Sequence, residues 1–284
     1  MPRLIDFFRR SKFSDDPVVT LFHYACGRMA DWENGSNGKV IWAARTHRGV
    51  QWLNKVEFPR KQKRYIFSPQ FEIRYNTAFE ETIRACAESG LAKENKTWIV
   101  EGYIRGMINL NKLGFAHSFE AWNEGKLVGG SFGVQLGSLI TCDSMFYRIS
   151  NASKAAYGQT LVRLQERGFR VVDTNGVAKH QVNYGEEWMP QWQYETLLAE
   201  CLKNRPTLVE GTTYPEFPAS IRALLPVAAL SRKISRKLGR KGGVITAPAA
   251  VPQAEPTAGS ESAGASPATD TPGDSKPNSS ASAA

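Results

Sequence analysis

The sequence predicts an α+β fold: a mixed sheet carrying helices, with a small N-terminal domain before it and a disordered tail after it. Three observations predict this. Between Thr97 and Asp173 the apolar spacing changes from helical to alternating and back. Residues 14–60 break into short apolar runs separated by the turn-formers ENGSNG and RTHRG. From Gly243 onward Ala, Pro, Ser, Gly and Thr dominate, and such a stretch buries too little to fold. The expected divisions are 1–65 for the small domain, 66–210 for the main domain, 211–242 for a basic segment and 243–284 for the tail.

The runs VVTLFHYA, KVIWAA and VQWL of the first domain predict short strands and at most one helix. FPRKQKRYIF then sets Arg60, Lys61, Lys63 and Arg64 together shortly after Lys55, the composition of a phosphate-contacting edge or of a solvated charge run. FEIRY alternates as a strand, with Asn76 as the expected cap of a helix that buries Phe79, Ile83 and Cys86 and stops at Gly90. A second helix, near 100–113, buries Ile104, Met107 and Ile108.

FAHSFEAW and LVGGSFGVQL, joined at NEGK, predict a hairpin, and a turn at Gly137 leads into SLITC. Gly129, Gly130 and Gly133 weaken a strand unless something approaches its backbone, so they point to a bulge or a ligand. Asn151 or Ser153 is the expected cap of a helix over 152–167 with Tyr157, Leu161 and Leu164 inward. FRVVDTN is a buried strand ending in Asp173, and an acid at the carboxyl end of a central strand points into a cleft. The same Asp could instead be a turn or cap residue. A last helix follows Pro190, with Tyr194, Leu197, Leu198 and Cys201 inward.

The 284 residues are 42% apolar and 22% charged, ordinary for a globular chain with a sizeable core. The formal net charge is +9, and because the tail from Gly243 holds four carboxylates and one lysine, residues 1–242 carry +12. That balance suggests a polyanionic partner, nucleic acid before membrane. Six basic residues between Arg232 and Lys241 could rest on RNA or an anionic membrane, although a solubilising segment is the preferred reading. Cys26, Cys86, Cys142 and Cys201 form no CxxC pair and suit a reducing compartment. No signal-like run opens the chain and no apolar stretch reaches about 18 residues, so a cytoplasmic location is expected. Phosphate-loop, HExxH and CxxC motifs are absent from the sequence. His117 and His180 stand alone, so neither a metal nor nucleotide hydrolysis is expected.

The order of helix, hairpin, strand, helix and strand resembles the GNAT acyltransferase fold. FYRISNASKAA, however, lacks the glycine-rich turn that would hold the pyrophosphate of acetyl-CoA, so no cofactor is expected. More specifically, Trp98, Leu110, Leu113 to Gly114, Ala116 to Ser118, Glu120, Trp122, Leu127 to Gly130, Ser144 to Phe146, Arg148 and Asn151 to Lys154 form an ordered set. In that set the chain closely resembles the bacterial leucyl/phenylalanyl-tRNA-protein transferases, across about residues 20–200.

The resemblance implies transfer of leucine, phenylalanine or a similar apolar residue from aminoacyl-tRNA to the α-amine of a protein beginning with Arg or Lys, marking it for degradation. It implies that Lys55, Arg60, Lys61, Lys63 and Arg64 hold the tRNA, and that Tyr24 and Trp32 stack on the terminal adenosine. Trp98, Met107, Ser131, Met145 and Phe146 would line the aminoacyl pocket, and Asp173, Asn175 and Asp143 would serve the chemistry. A monomer is expected.

The chain departs from the family's pattern at Asp143, where the family has Glu, and at Asn175, where it has Gln. Met107 stands in place of an aromatic and Ser131 in place of a bulkier residue, and QVNYG follows His180. Two other readings stand beside this one: a same-fold transferase acting on a cell-wall or lipid amine, and an inactive tRNA-binding paralogue.

Overall fold

The computed structural model describes residues 15–32, 40–89, 97–176, 184–219 and 221. Gly90, His180 with the QVN after it, the basic stretch 232–241 and the tail from 243 lie outside the described residues. Six helices and ten strands are present among those described.

Of the runs read as short strands and at most one helix, VVTLFHYA is the helix α1 (Pro17–Ala25). Pro17 sits in its first turn, where no N–H is needed, and the Asp16 carboxylate accepts the Val18 N–H at 2.8 Å. Strands β1 (Met29–Trp32) and β2 (Val40–Ala43) pair as a separate hairpin. β3 (His47–Trp52) leads through a 3-10 turn to α2 (Arg60–Ile66), so the basic run is helical. Then come β4 (Glu72–Tyr75), α3 (Phe79–Glu88), α4 (Glu101–Lys112), β5 (Ala116–Asn123), β6 (Lys126–Leu136), β7 (Leu139–Thr141) and β8 (Ser144–Tyr147). α5 (Ala152–Glu166), β9 (Val171–Asp173), β10 (Glu186–Pro190) and α6 (Gln191–Cys201) complete the fold.

The main sheet runs β10-β3-β9-β7-β6-β5-β4, with β8 also on β6. It is mixed, because β7 and β9 pair in parallel while the other pairs are antiparallel. One edge of β6 receives two strands in succession: β8 along Gly129–Phe132 and β7 at Gln135–Leu136. Between them lies Gly133, where a Cβ would stand 1.7 Å from the Thr141 carbonyl oxygen. The sheet therefore opens between β7 and β8 at a position where a side chain cannot fit. Gly129 and Gly130 are likewise approached by the protein itself, by Ala152 of α5 and by the Phe119 carbonyl. Helices α1, α3, α4 and α6 bury their apolar residues on one face, around Tyr103, Phe132 and Leu198. On the other face α5 packs Tyr157, Leu161 and Leu164 with Ile66 of α2.

Two expected helix caps differ from observation. Asn76 takes a left-handed φ of 59° and caps nothing; its Oδ1 accepts the Ser118 N–H at 3.0 Å. The buried Glu120 carboxylate caps α3 instead, accepting the Thr77 and Ala78 N–H groups at 2.9 and 2.8 Å, because β5 delivers it to that helix end. At the start of α5, Asn151 also adopts a left-handed φ of 66°, which turns its side chain away from the first-turn amides toward Lys154.

His117 bridges the Asn76 amide (Nδ1, 3.0 Å) and Gln135 Oε1 (Nε2, 3.0 Å). Gln135 Oε1 can only accept, which fixes the proton on Nε2 and leaves Nδ1 as the acceptor from the Asn76 NH2. A second ring proton would face a donor inside the sheet. Burial accordingly lowers the His117 pKa from 6.5 to about 4. The unfolded chain binds this proton first on acidification, so the contribution of His117 is complete above pH 6.5 and is lost as pH falls toward 4. We expect stability by urea denaturation to fall by roughly 3 kcal/mol across that window from this group alone. A His117→Gln variant should show a flatter acid limb over the same range.

Candidate active site

The opening between β7 and β8 gathers polar groups from six segments. β9 ends at Asp173, and its parallel neighbour β7 ends at Thr141 beside it. The Cys142 N–H donates to the Asp173 carbonyl at 2.7 Å, and the Asp143 N–H donates to the Phe132 carbonyl at 2.9 Å. Asp143 is thus held in the gap between the two diverging strands. Beyond Asp173 the chain turns over Gly49, where a Cβ would lie 2.6 Å from Gly176. Asn175 takes a left-handed φ of 63° in this turn, a conformation Asn tolerates well.

Asp173 is fully buried and surrounded by donors. Arg48 of β3 reaches it with both Nε (3.2 Å) and Nη2, the Tyr194 hydroxyl donates at 2.6 Å, and the Asn175 N–H donates at 2.9 Å. The Arg48 guanidinium lies 4.7 Å from the centre of the Tyr194 ring. Burial works against its charge, but Asp173 and Tyr194, with Asp143 further off, more than restore it, so Arg48 stays protonated. Arg48 Nη2 also donates to Asn175 Oδ1 at 2.8 Å, and Asn175 Nδ2 lies 3.3 Å from Asp143 Oδ1. The chain of contacts therefore runs from Tyr194 and Asp173 through Arg48 and Asn175 to Asp143.

Asp143 is only partly buried. Its Oδ2 accepts from Tyr24 of α1 at 2.5 Å and from Tyr103 of α4 at 3.1 Å. Burial pushes its pKa up, while the donors from Tyr24, Thr141 and Asn175 hold it back. Both tyrosines are pushed well above their usual range, by burial first and then by the charge of Asp143.

The structure brings Asp173, Asn175 and Asp143 together, with Asn175 bonded to both carboxylates. Tyr24, expected as a stacking surface, is 2% exposed and presents its hydroxyl, not its ring face, to the site. Trp32 ends β1, and its side chain lies outside the described residues. Trp98 packs edge-on against Tyr103 at 5.3 Å, and Met107 and Phe146 share that core. Met145 and its register partner Ser131 lie on the opposite face, under α5. The five expected pocket residues are thus divided between the two faces of the sheet. Lys55, Arg60, Lys61, Lys63 and Arg64 are all exposed on or just before α2.

Sequence reasoning missed Arg48 and Tyr103. Arg48 was part of the turn-like RTHRG, although Arg48, Val50 and Trp52 alternate as one face of a strand. Tyr103 carried no motif of its own. No group of three or more metal-ligating side chains occurs among the described residues.

The family described as leucyl/phenylalanyl-tRNA protein transferase matches residues 50–199. The leucyl/phenylalanyl-tRNA--protein transferase of Gloeobacter violaceus is 40% identical over 168 residues, 59% of this chain and 84% of that protein. The protein of the same name from Paramagnetospirillum magneticum is 36% identical over 63% of this chain and 85% of its own length. That of Syntrophobacter fumaroxidans is 34% identical over 62% and 74%. The matched span contains Tyr103, Asp143, Asp173, Asn175 and Tyr194 and begins two residues after Arg48.

Removing Arg48 leaves a buried carboxylate without its counter-charge. Arg48→Met should cost about 3–5 kcal/mol in urea denaturation. Adding Asp173→Asn to that variant should recover part of the loss, giving a coupling energy in a double-mutant cycle.

Proposed function

The chain belongs to the leucyl/phenylalanyl-tRNA protein transferase family, and from that premise we propose that it moves leucine, phenylalanine or a similar apolar residue from aminoacyl-tRNA to the α-amine of a protein beginning with Arg or Lys. The observation that carries this reading is the assembly of Asp143, Asn175 and Asp173 at the opening of the sheet, where a substrate can meet ordered polar groups. The aminoacyl ester is already activated, and an α-amine has an ordinary pKa near ~8, so a fraction of it is uncharged in the cell. What remains is to place the amine near the ester carbonyl and to dispose of a proton.

The exposed cluster Arg60, Lys61, Lys63 and Arg64 with Lys55 supplies the surface for the phosphate backbone of the tRNA. In this reading Tyr24 contributes a hydroxyl at the site in place of a stacking face. Trp98, Met107 and Phe146 give the apolar wall beside Asp143, with Ser131 and Met145 across the sheet. A monomer working in the cytoplasm fits the proposal. Among the described residues no helix is long and apolar enough to cross a membrane.

Charged tRNA bearing labelled leucine or phenylalanine, offered with an Arg-initiated peptide, tests the reading: labelled peptide is expected. Absence of transfer to any Arg- or Lys-initiated peptide from either tRNA overturns it. Replacing Arg60, Lys61, Lys63 and Arg64 together by Ala should raise KM for aminoacyl-tRNA about tenfold or more with kcat little changed. It should also flatten the dependence of log KM on log salt by about three, at ~0.7–0.9 per lost phosphate contact.

A further inference from the structure

Three oxygens close a triangle at the opening of the sheet. Tyr24 Oη and Tyr103 Oη are 2.7 Å apart, and they stand 2.5 and 3.1 Å from Asp143 Oδ2. A hydroxyl brings one proton and an ionised carboxylate brings none. With Asp143 ionised, two protons serve three contacts, and one side of the triangle is left without a donor. A proton on Asp143 supplies that donor and completes the ring. Asp173 is in the opposite condition: four donors, two of them on the Arg48 guanidinium, fill its roughly four acceptor positions, and no part of it is exposed.

We propose that Asp143, seated in the triangle with Tyr24 and Tyr103, takes the proton released by the attacking α-amine, while Asp173 is a positioning residue that holds Asn175 in place together with Arg48. This rests on the transferase reading above and assigns the roles within it. In the step, the uncharged amine nitrogen bonds to the ester carbonyl carbon and the carbonyl π pair moves to its oxygen. One amine proton passes to Asp143. As the tetrahedral centre collapses, the bond from carbon to the ribose oxygen of the tRNA breaks, and that oxygen takes the proton back from Asp143. The products are a peptide bond and an uncharged tRNA, and Asp143 is ionised again.

The groups facing Asp143 set where it titrates. They are Tyr24 from α1, Cys86 from α3, Tyr103 from α4, Arg48 from β3, Thr141 from β7, and Cys142, Asp173 and Asn175 from the segments around it. Burial raises the Asp143 pKa above that of an ordinary carboxylate, the direction that favours accepting a proton. Each hydroxyl of the triangle bears on where that proton sits, so removing one should shift the Asp143 pKa.

The test is steady-state transfer to an Arg-initiated peptide across pH, together with direct aminoacyl-tRNA binding. Asp143→Asn should lower kcat by about a hundredfold or more while tRNA affinity stays within about twofold. Tyr103→Phe should stay active and shift the acid limb of kcat/KM. Asp143→Asn with near wild-type kcat overturns the assignment, as does a loss confined to tRNA binding, or a Tyr103→Phe profile whose acid limb does not move. A wild-type protein that transfers nothing fails differently: it removes the transferase reading itself.

Discussion

A carboxylate at the end of a buried strand has no water to solvate its charge, and the site of this protein depends on how that charge is met. Arg48 meets Asp173 through two nitrogens, with Tyr194 and the Asn175 amide filling the remaining positions. Burying both charges costs several kcal/mol each, and only good geometry with every lone pair engaged offsets it. Once Asp173 is held this way, the turn after β9 is fixed as well, because Asn175 answers both to Asp173 through its N–H and to Arg48 through its side chain. Strands β3 and β9 and the β7–β8 link are thereby tied at one point.

The opening of the sheet creates the room in which this pair has a use. β6 is long enough to take two partners along one edge, and the close approach of Thr141 at Gly133 forces them apart. Asp143 falls in the gap, close to solvent, with α1 and α4 leaning their tyrosines onto it from the helical face. The same set of contacts thus contains one carboxylate with all acceptor positions occupied and one that is partly exposed and short of a proton. Two acids of the same kind are thus given different surroundings, one closed and one open.

Period and composition made much of this legible. The change from helical to alternating spacing located α4, the β5–β6 hairpin and α5 within a residue or two, and the strand-end rule found Asp173. The helix caps were misread at Asn76 and Asn151, because a side chain good at capping is also good at left-handed turns, and only the path of the neighbouring strand decides which it does. Arg48 went unnoticed for a similar reason: a charge in a turn-like string reads as solvated until the strands on both sides of it are known.

The sequence by itself determined the fold class, the basic surface of α2 and the family, since these follow from local period, local charge and an ordered set of residues. Which carboxylate is saturated and which is open was decided only in three dimensions. Asp143 and Asp173 lie 30 residues apart from each other, and their partners Tyr24, Arg48, Tyr103 and Tyr194 come from α1, β3, α4 and α6. Hydrogen-bond occupancy and burial are properties of that convergence, and no spacing along the chain encodes them.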